Sequence, residues 1–196
     1  MKANKIIGKL SRLLAGPIIT AVFILMPGIL KAGEDNKDIP DPVLKDSTYA
    51  LYQSGDFYLA GQPMQDDLEE LAKDGVTLVI NVRTEAEMKT FAKEYFDEEV
   101  VVKGLNIEYV QAGIGGADGY SPEVISLISE KIAATDGKVL IHCAAAGRAT
   151  TVWMAWLVNS GQCSIDEAMR LGKQARFVFP FESLLGFPVT VKKTKK

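Results

Sequence analysis

Histidine and cysteine are scarce in this chain, whose 196 residues include one histidine and two cysteines. Disulfide-stapled scaffolds and Cys/His zinc sites need more of these residues, so neither class is expected, and no metal or other cofactor is predicted. Internal repeats and low-complexity tracts are also lacking. With 47% hydrophobic and 24% charged residues, the chain has the composition of one globular domain with an appendage.

Acidic residues are absent from the first 32 positions, which carry five of the 22 lysines and arginines. Four basic side chains precede the apolar run 13–30, and the small residues Ala32 and Gly33 follow it. This order predicts a secretory signal peptide over residues 1–32 and export to a bacterial periplasm. An uncleaved anchor in the inner membrane is the alternative, because the run is about as long as the shortest spanning helices.

Once the signal is removed, the chain has 17 basic and 25 acidic residues, a net charge of −8. Such a surface repels phosphate backbones, so nucleic acid is not expected as a partner, and a membrane is expected only if the signal stays uncleaved. Residues 33–48, rich in Asp and Pro, are predicted to be a linker or surface arm. The domain is expected over residues 49–187, and the basic residues of 188–196 are expected to form a solvated tail.

Strand-like and helix-like segments alternate from Tyr49 onward. Strands are predicted over 56–62, 76–82, 107–112 and 138–143, and helices over 64–75, 85–96, 121–134, 148–161 and 164–177. The pairs Thr84/Glu87 and Ser164/Glu167 have the spacing of capping boxes at helix starts. Continuous apolar strands separated by helices predict an α/β fold of three layers, a mostly parallel central sheet with helices on both faces.

The segment HCAAAGR, from His142 to Arg148, links the last predicted strand to a helix. Ligands of parallel sheets bind at the carboxyl ends of the strands, and the unpaired N–H groups of a helix start favour an anion. Such a position favours a thiolate, so Cys143 is the candidate nucleophile. Arg148 can offer a planar fork to two oxygens of the anion. The backbone around the anion would come from four small residues, Ala144, Ala145, Ala146 and Gly147.

The one histidine of the chain, His142, stands directly before this cysteine. It is not expected to shuttle protons. We expect its ring to bond to neighbouring backbone and to order the loop.

Three segments of the chain, residues 56–87, 109–128 and 139–158, carry a family resemblance. Their motifs are AGQP, NVR followed by an acidic residue, and HC with an arginine five positions after the cysteine. They resemble the phosphatase-like domain of the β-lactamase-hydrolase-like proteins, a branch of the cysteine-dependent, dual-specificity-type phosphatases. The resemblance covers about residues 49–177. It implies the phosphatase fold, Cys143 as a nucleophile that forms a phosphocysteine, and Arg148 as the phosphate clamp. The implied substrate is a phosphorylated protein or a small phosphorylated molecule.

Two positions depart from the family pattern. Ala146 stands where such relatives carry glycine, and Gly147 comes one position later. Ala149 stands where a serine or threonine follows the arginine and helps the thiolate leave, and Thr150 is the next residue. Phosphate binding is therefore expected to be retained, with slow turnover.

Asp118, in the loop between the third predicted strand and the following helix, is the candidate general acid. A turn aspartate before Gly119 is an equally good interpretation. Arg83 is expected to form a structural ion pair with Glu85 or Glu87.

Two other classes fit parts of this pattern. Rhodanese-type sulfurtransferases also carry a cysteine on a strand-to-helix loop, and their loop is short, as it is here. However, the chain has no segment like GHIPGA after the strand over 76–82. A module that binds phosphate without turnover is the third interpretation.

Overall fold

The structure is a computed structural model that describes residues 39–115, 119–177 and 182–189. The predicted signal peptide, Asp118 and most of the predicted basic tail lie outside these ranges. The described strands are β1 (Val43–Asp46), β2 (Leu51–Ser54), β3 (Phe57–Ala60), β4 (Val76–Asn81), β5 (Glu108–Gln111) and β6 (Lys138–His142). The described helices are α1 (Gln65–Lys73), α2 (Glu85–Glu94), α3 (Glu98–Gly104), α4 (Pro122–Ala133), α5 (Gly147–Asn159), α6 (Ile165–Gln174) and α7 (Glu182–Leu185).

These six strands form one mixed sheet in the order β1-β2-β3-β6-β4-β5. The four strands β3, β6, β4 and β5 are parallel, whereas β1 and β2 run antiparallel at one edge. Because β6 lies between β3 and β4, its carboxyl end is flanked by theirs. The predicted mostly parallel α/β sheet is confirmed.

Hydrophobic cores lie on both faces of the sheet, and β4 contributes to each of them. Leu78 and Ile80 face the core formed with α4, α5, α6 and α7, whereas Val76 and Val79 face the core formed with α1 and α3. Side chains alternate across a strand, so a strand buried on both faces needs an unbroken apolar sequence. The continuous apolar runs seen in the sequence are therefore explained by helices on both faces.

The capping boxes place two helix starts as predicted. The Thr84 hydroxyl accepts a hydrogen bond from the Glu87 N–H, and the Glu87 carboxylate accepts one from the Thr84 N–H. Ser164 likewise accepts from the N–H of Glu167 at the start of α6.

The sheet begins earlier than the sequence indicated. Strand β1 lies inside the predicted linker 33–48 and pairs with β2 in a hairpin that includes Ala50 at φ +55°. The Ser54 hydroxyl donates to the carbonyl of Pro40 at 2.5 Å and joins the arm to this hairpin. The arm is therefore in part an edge of the sheet.

Among the described helices, none combines the length and the apolar character needed to span a membrane. Cys143 and Cys163 are both buried free thiols. Within the described ranges, no cluster of three or more His, Cys, Asp or Glu side chains has the arrangement of a metal site.

Candidate active site

Cys143 directly follows β6, and only 2% of its surface is exposed. The backbone N–H of Ala145 donates to its Sγ atom at 3.4 Å. Ala144 and Ala145 are exposed, whereas Ala146 and Gly147 are buried where α5 begins. The loop between strand and helix thus turns a backbone N–H group toward the sulfur, as the sequence predicted for a bound anion or thiolate.

The turn into α5 depends on Ala146, which adopts φ +64° and is fully buried. This left-handed conformation is one that glycine adopts without strain, and Ala146 stands where the family pattern has glycine. The Thr150 hydroxyl donates to the Ala146 carbonyl at 3.0 Å, and Ala149 is buried in the core. In this arrangement the Thr150 hydroxyl is used inside the helix.

The AGQP segment after β3 borders the loop. Gly61 forms an isolated antiparallel bridge with Ala145, and the N–H of Gln62 donates to the Ala144 carbonyl at 3.4 Å. A Cβ atom on Gly61 would lie 2.5 Å from the Tyr49 carbonyl oxygen and 3.2 Å from that of Ala144. The absence of a side chain at Gly61 is therefore what lets this segment approach the loop.

Arg148, in the first turn of α5, is braced by groups from two other elements. Its Nη1 and Nη2 atoms donate to the Glu87 carboxylate at 2.9 and 2.7 Å, and Nη1 also donates to the Ile114 carbonyl at 2.7 Å. The Glu87 bonds, and then the nearby Cys143 thiol, raise the pKa of Arg148 against the effect of burial. These bonds leave the Nε–H group and one Nη2–H group for an anion at Cys143.

Glu87 is ionised well below neutral pH because of the same contacts. Its hydrogen bonds from Arg148 and from Thr84 overcome partial burial and lower its pKa from 4.5 to about 2. Its carboxylate also lies 3.6 Å from Arg83 Nε, which confirms the predicted ion pair of Arg83 with Glu87.

His142 does not bond to neighbouring backbone as predicted. Its Nε2 atom lies 2.9 Å from the carboxylate of Glu98, and both side chains are fully buried. The physical reason is the position of α3, whose first residue places a carboxylate under the end of β6. His142 is fixed by an acidic partner 44 residues away along the chain.

Tyr120 is a further residue near the site that the sequence analysis did not identify. It is half-buried and packs against the larger core. Burial raises its pKa, with opposing influences from Arg148 and Cys143, which places it near both.

The structure brings Cys143, the four small loop residues and Arg148 together as predicted. The sequence analysis missed the roles of Glu87 toward Arg148 and of Glu98 toward His142. For Glu87 the T-x-x-E spacing was a usable signal, although it indicated only a helix cap. Glu98 has no comparable local signal.

A buried cysteine at the end of a central parallel strand, followed by a backbone turn and a braced arginine, is the site of a cysteine-dependent phosphatase. The sequence matches the family "Dual specificity phosphatase, catalytic domain" over residues 57–185. The chain belongs to this family. The predicted membership in the dual-specificity and tyrosine phosphatase superfamily is confirmed, whereas its placement in the β-lactamase-hydrolase-like branch stays a prediction.

Individual relatives agree with this family. Dual specificity protein phosphatase 2 from Mus musculus is 30% identical over 131 residues, which are 66% of this chain and 38% of the mouse protein. The match thus spans well under half of that curated relative.

Solved structures agree as well. A DUF442 protein from Shewanella putrefaciens CN-32 is 25% identical with a TM-score of 0.53, covering 70% of this chain and 89% of that chain. Tk-PTP in its active form is 26% identical with a TM-score of 0.51, covering 61% of this chain and 79% of that chain.

Proposed function

We propose that this protein is a phosphoric monoester hydrolase of the tyrosine and dual-specificity type, acting on a phosphorylated protein or a small phosphorylated molecule. The observation that carries the proposal is the pairing of Cys143, which accepts a backbone N–H bond, with Arg148, whose guanidinium is held beside it by Glu87. A nucleophile and a planar cationic fork on one short loop suit a phosphate monoester. The family match supports the same chemistry.

The reaction would proceed in two displacements. The Cys143 thiolate attacks phosphorus, the bond from phosphorus to the ester oxygen breaks, and the alcohol leaves with a proton. Water then attacks the phosphocysteine, the S–P bond breaks, and the thiolate and inorganic phosphate are released. Arg148 and the backbone N–H groups of the loop stabilise the charge on the equatorial oxygens in both steps.

The second displacement is expected to be the slow one. The departing thiolate needs a hydrogen-bond donor, and the hydroxyl nearest in sequence to Arg148, that of Thr150, donates to the Ala146 carbonyl instead. This same observation favours a second candidate function, a module that binds phosphate without turnover. The family match argues against the sulfurtransferase alternative.

Hydrolysis of an aryl phosphate by the purified mature chain tests the proposal. We expect slow release of phosphate, no turnover but retained phosphate binding in Cys143→Ser, and loss of phosphate binding in Arg148→Ala. Phosphate binding without any release would make the domain a non-catalytic module. Transfer of sulfur from thiosulfate to cyanide, without phosphate release, would overturn the assignment.

Asp118 is proposed as the general acid that protonates the leaving group, a contribution of typically about 10²- to 10⁴-fold. In that role, Asp118→Asn lowers turnover of alkyl phosphates far more than turnover of aryl phosphates, whose leaving groups need little protonation. An equal loss for both substrate classes would leave Asp118 as a turn residue.

Export remains part of the proposal, motivated by the basic, apolar and small-residue order of residues 1–33. Protein secreted by a bacterial host is expected to begin near Gly33 on N-terminal sequencing. Intact Met1 on a membrane-bound product would show an anchor instead.

A further inference from the structure

Glu98 is a charged residue in a place where charges are rare. It is the first residue of α3, only 2% of its surface is exposed, and its side chain is fully buried. A buried carboxylate is strongly destabilising unless it is paired and hydrogen-bonded. The reaction described above makes no direct use of Glu98, so its burial needs another explanation.

The contacts of Glu98 join three strand ends that surround the catalytic loop. Its carboxylate lies 2.9 Å from His142 Nε2 at the end of β6 and accepts from Asn81 Nδ2 at the end of β4, also at 2.9 Å. It accepts a further bond from the amide of Gln62, just after β3. One carboxylate therefore contacts the residue before Cys143 and the segment that borders Ala144.

Arg83 fixes the orientation of both amides in this network. Its backbone N–H donates to Asn81 Oδ1 at 2.8 Å, and its guanidinium donates to Gln62 Oε1 at 2.5 Å. Each amide must therefore turn its NH₂ group toward Glu98, because the flipped amide would place a donor against a donor. An acceptor-only side chain is required at position 98.

His142 supplies the third donor. The charge of His142 and the hydrogen bonds around Glu98 overcome the effect of burial and hold the pKa of the Glu98 carboxyl below its usual range. An ionised carboxylate can only accept, so His142 Nε2 must carry a proton. The ring orientation next to Cys143 is thus set by Glu98.

We propose that Glu98 is a positioning residue for the catalytic loop, and that through His142 and Gln62 it holds Cys143 and Ala144 in the arrangement that binds phosphate. The inference rests on the proposed function for its effect on turnover. Its effects on His142 and on phosphate binding can be measured whether or not the protein hydrolyses any substrate.

The matched pair of variants is Glu98→Gln and Glu99→Gln. Both remove one negative charge from the first turn of α3, but the Glu99 side chain is 53% exposed and pairs only with Lys103 among the contacts in the described ranges. Glutamine at 98 places an NH₂ group against at least one of the three donors. Val102→Ala, a cavity variant in the buried part of the same helix, controls for loss of stability alone.

The first readout is the imidazole of His142, which is the only histidine of the chain and gives unambiguous ¹⁵N signals. In the wild-type protein we expect Nε2 to be protonated at neutral pH, with its proton protected from exchange. Glu98→Gln should shift that proton and expose it to exchange, whereas Glu99→Gln and Val102→Ala should leave it unchanged. A wild-type ring protonated only at Nδ1 would overturn the proposal without any variant.

The second readout is the affinity for inorganic phosphate, followed by aryl phosphate turnover. Misplacing a reacting group by about 1 Å can reduce rates by about 10²-fold, so we expect both quantities to fall at least about tenfold in Glu98→Gln. Glu98→Asp, which keeps an acceptor-only group on a shorter side chain, should recover part of the loss. Phosphate affinity in Glu98→Gln equal to that of Val102→Ala would contradict the proposal. If no protein in the series hydrolyses phosphate, the proposed function fails while the binding and imidazole measurements still decide the role of Glu98.

Discussion

Ala146 is the residue on which the start of α5 turns, and its left-handed backbone makes a testable demand. Relief of the left-handed conformation is worth roughly 1–2 kcal/mol, and this offsets the chain entropy and the buried methyl group lost in Ala146→Gly. We therefore expect the free energy of unfolding of Ala146→Gly to stay within about 0.5 kcal/mol of the wild-type value. Urea denaturation measures it.

Ala149 provides the control for this prediction. It is as fully buried as Ala146 but lies inside α5 and has no left-handed backbone. Ala149→Gly is expected to lose about 1.5–2 kcal/mol, from helix propensity and the lost methyl group. Equal losses in the two variants would show that Ala146 is not strained.

Glu87 is expected to determine how well Arg148 binds an anion. Glu87→Gln removes the charge-assisted pair that orients the guanidinium, and phosphate affinity should fall about tenfold, the equivalent of about 1.4 kcal/mol. Calorimetric titration with phosphate provides the measurement. Glu85→Gln is the control, since the Glu85 side chain is 78% exposed and pairs with Lys89. Similar losses in both variants would point to surface charge rather than to the brace.

The same carboxylate makes stability depend on acid. The folded pKa of Glu87, about 2, lies below its ordinary value of 4.5. Its contribution is therefore complete above about pH 4.5 and is lost as the pH falls toward 2, on the order of 1–2 kcal/mol after allowance for its partial exposure. Denaturation curves from pH 6 to pH 2 should show a smaller acid-induced loss in Glu87→Gln than in the wild type. Parallel curves would contradict this assignment.

At the scale of elements, the contact between the AGQP segment and the catalytic loop depends on Gly61. In Gly61→Ala the new Cβ would meet the Tyr49 carbonyl at 2.5 Å, and backbone atoms cannot rotate away as a side chain can. We expect a loss of roughly 1–3 kcal/mol in unfolding free energy together with weaker phosphate binding. Gly104→Ala, where a Cβ meets nothing within 4 Å, should be neutral or slightly stabilising. Tolerance of alanine at both positions would show that the segment is free to move.

Elements with strong periodicity could be predicted from the sequence, and short ones could not. Strands β4 and β6 are continuous apolar runs, and α2 and α6 begin at capping boxes, so local signals identify them. Strand β1 is exposed along its first three residues, so it lacks the alternation of a half-buried strand. Helix α3 contains three consecutive valines, which favour strands, and it depends on the Asp97 cap and on tertiary packing.

At the scale of the whole molecule, the difference between local and distant information also divides the active site. Cys143 and Arg148 lie on one loop, so their spacing in the sequence indicates a shared role. Glu87 reaches Arg148 across 61 positions, and Glu98 reaches His142 across 44. Such contacts follow from the strand order, which places β3, β6 and β4 side by side, and no local pattern encodes them.

The central claim is that Cys143 forms a covalent bond to phosphorus, and rapid acid quenching of the enzyme during turnover of an aryl phosphate tests it most directly. Peptide mass spectrometry should then find phosphate on Cys143. The amount should increase when the second displacement is slow, as the use of the Thr150 hydroxyl within α5 implies. The peptide that contains Cys163 should remain unmodified, and Cys143→Ser should trap nothing. Phosphate release without any phosphorylated Cys143 at the earliest quench times would contradict the account.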